Sequence, residues 1–109
     1  MMSEKHPITQ GIGYVRKLSK HQKKHDVFFV ETELVFNVIE GKEVTDKISV
    51  LAGGKIRELL ISVEKKGGDI SKALPINTLV NLKYEGLRAK AAKKYISYRG
   101  FLIDVSPCI

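Results

Sequence analysis

The sequence predicts an all-β domain with one helix, a five-stranded Greek-key barrel in which the helix falls between the third and fourth strands. Two observations carry that prediction. From Val27 to Ile39, Phe28, Val30, Thr32, Leu34, Phe36 and Val38 fall on one face, while Phe29, Glu31, Glu33, Val35 and Asn37 fall on the other; this period of two is that of a half-buried strand. Between Lys55 and Lys66, Ile56, Leu59, Leu60 and Val63 recur at the spacing of an amphipathic helix. The chain has 109 residues, room for one core, so 1–109 is expected to form a single domain with residues 1–7 flexible.

The other elements follow in order. Ile8–Leu18 mixes β-formers with Gly11 and Gly13 and reads as a first strand with a bend or bulge at one of the glycines. The polar stretch Ser19–Asp26 reads as a loop, and Val27–Ile39 is the second strand. A turn at Glu40-Gly41-Lys42 leads into a third strand, Glu43–Leu51, with Val44, Ile48 and Val50 on one face. The helix ends in Lys65-Lys66-Gly67-Gly68, where lysines suit the negative end of the helix dipole and glycine supplies the left-handed cap. A fourth strand, Thr78–Tyr84, and a fifth, Tyr95–Val105, enclose a basic hairpin whose Ala89, Ala91 and Ala92 also permit a short helix at its tip. Three strands, a helix and two strands is the element order of the OB fold; a βααβ arrangement or a small sheet-plus-helix sandwich would give a similar string.

Charge points to a polyanionic partner. The net charge is +7, with 19 Lys and Arg against 12 Asp and Glu. It is concentrated in two stretches of +5 each, Arg16–Lys24 and Lys83–Arg99, which leaves −3 on the rest of the chain. In an OB fold these stretches fall on the two loops that flank the binding face of strands two and three. Cationic side chains displace the counterions of a phosphate backbone, and aromatic rings offer bases a stacking surface. The candidate phosphate contacts are Arg16, Lys17, Lys20, Lys23, Lys24, Lys83, Arg88, Lys90, Lys93, Lys94 and Arg99. Tyr14, Phe29, Tyr95 and Tyr98 are the candidate stacking residues, with Tyr95 and Tyr98 competing for one groove-facing position because three residues of regular strand put them on opposite faces. Each aromatic residue has a competing reading as part of the core or its cover. Glu31 and Glu33 oppose phosphate binding unless they point away or pair with Lys47 and Arg99.

Other chemistries find little support. Gly11-Ile12-Gly13 lacks the third glycine and the helix of a dinucleotide site, no phosphate-binding Gly-rich loop with lysine is present, and the carboxylates and serines form no catalytic arrangement. No enzyme activity and no cofactor are expected. His21 and His25 sit four apart in a stretch without helix signal and read as solvated, and the lone Cys108 supplies neither a disulfide nor a zinc site, so no metal is expected. No apolar run spans a bilayer and the first ten residues lack a secretory segment, so the expected location is cytoplasmic, away from membranes. Val27, Phe29, Val35 and Ile39 on the second face of strand two suggest a homodimer or homotetramer, or else complete the core.

Thr9-Gln10-Gly11-Ile12-Gly13-Tyr14-Val15 followed by the apolar Val27–Val30 strand resembles the start of the OB-fold, single-stranded-DNA-binding-like replication proteins of bacterial integrative and conjugative elements, and the likeness runs through the helix to Gly100-Phe101-Leu102-Ile103. The resemblance implies low-specificity binding of single-stranded DNA in replication or transfer of a mobile element, as an oligomer. The chain departs from better-known single-stranded-DNA-binding proteins in having no tryptophan, and in ending at Ser106-Pro107-Cys108-Ile109 where those carry an acidic tail. Recruitment of replication enzymes through such a tail is therefore not expected. A protein-binding OB adaptor and an RNA-binding OB protein are the alternatives.

Overall fold

The computed structural model describes residues 7–21, 26–36, 38–39, 42–43, 47–91 and 96–108. Five strands close into a barrel: β1 (Ile8–Lys20), β2 (Phe28–Phe36), β3 (Lys47–Ala52), β4 (Leu79–Ala91) and β5 (Ile96–Pro107). Around the barrel the order is β1-β2-β3-β5-β4, with β4 returning to β1. All pairings are antiparallel except β3 with β5, which is parallel and joins Leu51 to Phe101 and Ala52 to Leu102. Helix α1 (Gly54–Lys65) lies between β3 and β4 in the chain. This is the OB fold, as its element order predicts. A two-residue pair, Val38–Ile39 with Lys42–Glu43, stands apart as its own small sheet.

The alternation read from β2 holds in three dimensions. Phe28, Val30, Thr32 and Leu34 are buried, while their odd-numbered neighbours face outward. β3 contributes Ile48, Val50 and Ala52 to the same interior, β4 contributes Val80, Leu82 and Tyr84, and β5 contributes Leu102. Val44, expected on that face of β3, lies outside the described residues. Thr32, the one buried polar residue of the core among the described residues, shares a hydrogen bond with the Tyr84 hydroxyl and donates to the Ile48 carbonyl at 3.4 Å. Either hydroxyl can be the donor in their shared bond. Burial pushes the Tyr84 phenol up to about 12, with the Thr32 bond pulling the other way.

Helix α1 covers one end of the barrel through Ile56 and Leu60, with Ile61 packed beside them. The amides of Gly67 and Gly68 return to the carbonyls of Glu64 and Val63, the paired bonds of a Schellman ending. Leu59 differs from its expected place: it is 41% exposed, because only the narrow stripe along Ile56 and Leu60 meets the barrel. The bend expected in β1 is present, with register shifts against β2 between Ile12 and Gly13 and between Val15 and Lys17. A Cβ on Gly13 would sit 2.0 Å from the Glu33 carbonyl oxygen, so only glycine permits this approach of the two strands.

Residues read as a basic loop and possible short helix belong instead to strands. β4 continues to Ala91, carrying Ala89 and Ala91, and pairs with β5 down to Ile96. Cross-strand hydrogen bonds override the weak strand preference of this Ala- and Lys-rich stretch. Partway along, Gly86 and Leu87 stand opposite Gly100, a bulge that bends the ribbon. Gly100 has φ +152°, and a Cβ there would lie 2.8 Å from the Leu87 Cα. Leu87 is turned inward and buried, and the Gly86 amide is tied to the Pro7 carbonyl at 2.8 Å.

Candidate nucleic-acid interface

The inward residues of β2, β3 and β5 determine what the outer face presents. With Phe28 and Val30, Val50 and Ala52, and Leu102 committed to the interior, Phe29, Leu51 and Phe101 must point out. They are also in register: Phe29 pairs with Leu51 across β2–β3, and Leu51 pairs with Phe101 across β3–β5. The result is an apolar row across three strands, in which Phe29 is 37% and Phe101 44% exposed. The His21 ring leans on Phe29 with centroids 5.5 Å apart and planes tilted 47°.

Beside this row lies a groove of about 330 Å³, bounded by Phe29, Ser49, Leu51, Tyr98, Arg99 and Phe101. Its origin is topological. β3 meets β5 in register only at Leu51 and Ala52, so toward Lys47 the two strands separate and leave an open seam. Tyr98 is half-buried, packed against the core, and contributes to the wall. Arg99 is exposed at the same wall. Its cross-strand partner is Arg88, also exposed.

The β1 side is different. Arg16, expected as a phosphate contact, donates from Nε to Glu33 at 3.1 Å and from a terminal nitrogen to Asn77 Oδ1 at 3.0 Å, and its guanidinium lies 4.1 Å from the Tyr14 ring centroid. One face of Tyr14 is thereby covered by its own strand neighbour. Lys20 is bonded to Glu64 of α1 and lies 3.6 Å from Asp26, and these carboxylates hold its ammonium above the usual lysine range. Both cations belong to β1 rather than to a loop. Lys17 is exposed, and its cross-strand partner Glu31 is 3.9 Å from Lys47. Of the two glutamates that oppose phosphate binding, Glu31 thus meets Lys47 as expected, whereas Glu33 takes Arg16 in place of Arg99.

Lys83 goes elsewhere. It faces a second groove, of about 270 Å³, together with Lys55, Glu85 and Asp104 near the start of α1. Lys90 lies on β4 opposite Ser97. Lys23, Lys24, Lys93, Lys94 and Tyr95 are outside the described residues, as are His25 and residues 1–6. Of the apolar residues on the second face of β2, Val27 and Val35 are half-buried and Phe29 is exposed. Among the described residues no group of three His, Cys, Asp or Glu is placed to hold a metal ion, and no helix is long and apolar enough to cross a membrane.

The structure therefore brings together Phe29, Tyr98 and Arg99 from the sequence-named residues, and adds Leu51 and Phe101. Phe101 was legible in principle: Leu102 reads as inward, and one step along a strand reverses the face. No protein-family model, curated protein or solved structure matches the chain.

Proposed function

We propose that this chain is a non-catalytic module that binds single-stranded nucleic acid, DNA in the first instance, with low sequence specificity. The observation that carries the reading is the in-register row Phe29–Leu51–Phe101 beside a groove with Arg99 on its wall. Outward aromatic rings at the two ends of this row, with Leu51 between them, give unpaired bases flat apolar surfaces, and stacking tolerates any base. The nearby cations Arg88 and Arg99 supply the phosphate term. A strand crossing β2, β3 and β5 meets both. Replication or transfer of a mobile element is the setting suggested by the resemblance of Thr9–Val15 and Gly100–Ile103, with a homodimer or homotetramer as the assembly.

Fluorescence anisotropy with labelled oligo-dT tests the reading. Wild-type binding should weaken steeply with salt, and Phe29→Ala and Phe101→Ala should each cost about 5- to 150-fold in affinity, the equivalent of about 1–3 kcal/mol per stacked base. No binding at low salt, or affinity indifferent to salt, rejects it. Matched oligo-rU separates a DNA from an RNA preference. The apolar lining of the groove also favours a second reading, a protein-binding adaptor. A nuclease-resistant pull-down in which Phe101→Ala loses the partner, with oligonucleotide binding absent, would select it.

A further inference from the structure

The ribbon formed by β4 and β5 contains a pairing that folding alone opposes. Arg88 and Arg99 are direct cross-strand partners, which puts their Cβ atoms about 5 Å apart on one face of the ribbon. Like charges in that relation destabilise a strand pair. Both side chains are exposed, and among the described residues no carboxylate lies within 4.0 Å of either guanidinium. On β1 and β3, by contrast, three cations have carboxylate partners: Arg16 has Glu33, Lys20 has Glu64 and Asp26, and Lys47 has Glu31. The bulge at Gly86, Leu87 and Gly100 lies immediately next to the arginine pair, and Arg99 shares the groove wall with Phe29 and Phe101.

We infer that Arg88 and Arg99 jointly hold one phosphodiester of the bound strand, belonging to a nucleotide whose base lies in the groove between Phe29 and Phe101. This rests on the nucleic-acid reading and makes it specific. A diester offers two non-bridging oxygens to two guanidinium forks arriving from the same side, and its negative charge cancels the repulsion that the unliganded ribbon carries. The pair acts as a unit, so its contribution to the salt dependence is that of one phosphate.

The experiment compares wild type, Arg88→Gln, Arg99→Gln and the double variant for oligo-dT binding across a salt series, with thermal unfolding of each protein free of ligand. For single strands each neutralised phosphate contributes about 0.7 to the slope of log K against log salt. The expected result is that either single variant binds several-fold more weakly with little change of slope, and that the double variant lowers the slope by about 0.7. A fall of about 1.4 means two separate phosphates and overturns the shared site; an unchanged slope in the double variant overturns the contact altogether. Each single variant should also raise the melting temperature of the free protein by about 1–3 °C through relief of like-charge repulsion. A lower melting temperature in both would assign the arginines to folding and reject the inference. Absence of wild-type binding at low salt, by contrast, removes the nucleic-acid reading itself.

Discussion

The two basic stretches are alike in charge and unlike in use. In Arg16–Lys24, the arginine is held by Glu33 and Asn77 and the lysine at position 20 by Glu64 and Asp26, so two of the three described cations are committed to carboxylates of the same fold, and the third, Lys17, is exposed opposite a Glu31 that meets Lys47. In Lys83–Arg99, Arg88 and Arg99 face each other without a described carboxylate within ion-pair distance, beside a groove lined by aromatic rings. The first stretch fastens β1 to β2 and to the helix. The second offers its charge outward. Net charge is therefore a poor guide to where a polyanion binds; what matters is which cations the fold has left unmatched.

Charge reversal at the two places should separate them most clearly. Arg88→Glu with Arg99→Glu is expected to weaken oligo-dT binding by roughly 100-fold or more at low salt, since two contacts become two repulsions. Arg16→Glu with Lys20→Glu should weaken binding by less than about 10-fold while lowering the melting temperature, because Glu33, Glu64 and Asp26 lose their partners and gain a like charge. Equal losses of affinity from the two double variants, measured by anisotropy in the same buffer, would erase the distinction.

Both regions are mounted on one barrel, whose interior can be tested apart from either. Tyr84 is fully buried with its phenol raised to about 12 from 10.0. Between those values the unfolded chain has released the phenolic proton and the folded chain still holds it, so stability falls as pH rises, by about 3 kcal/mol once both limits are passed. Below pH 10 the full contribution is present. Denaturant unfolding from pH 9 to 12 should show this decline in wild type and a shallower one in Tyr84→Phe. Thr32→Val, which leaves the Tyr84 hydroxyl without its partner, should cost about 1–3 kcal/mol at neutral pH. If Tyr84→Phe keeps the full alkaline decline, the effect does not arise at the Tyr84 phenol.

Much of the barrel was legible because its signals are local. The inward set Phe28, Val30, Thr32 and Leu34 follows from alternation, and the end of α1 follows from Lys65-Lys66-Gly67-Gly68. The site was legible in part. Phe29, Tyr98 and Arg99 could be named from residue type, but Leu51 and Phe101 join them through strand register, which depends on how the barrel closes. The ion pairs were less accessible still: Arg16 and Glu33 are 17 residues apart, and Lys20 and Glu64 are 44 apart. No sequence periodicity links such positions. The ribbon was misassigned for a related reason, since the composition around Ala89 and Ala91 favours helix and only pairing with β5 makes it strand.

The smallest effect asks whether the matched region is silent by distance or only by neutralisation. Glu64 is the helix residue that bonds Lys20, and Asp26 is the second carboxylate near it. Glu64→Gln leaves the helix its side-chain length and removes the neutralising charge, so the positive charge of Lys20 at the end of β1, next to His21 and hence to Phe29, is opposed by Asp26 alone. If the strand passes that end of the β2 face, oligo-dT affinity should rise by about two- to threefold at low salt, with the gain fading as salt screens it. Asp26→Asn should act in the same direction and less strongly, its contact being the longer one at 3.6 Å. Affinity unchanged in both variants would place the path of the strand wholly toward the groove and the arginine pair. Arg16 and Lys20 would then serve the fold alone, and the contrast between the two stretches would be one of position as well as of charge.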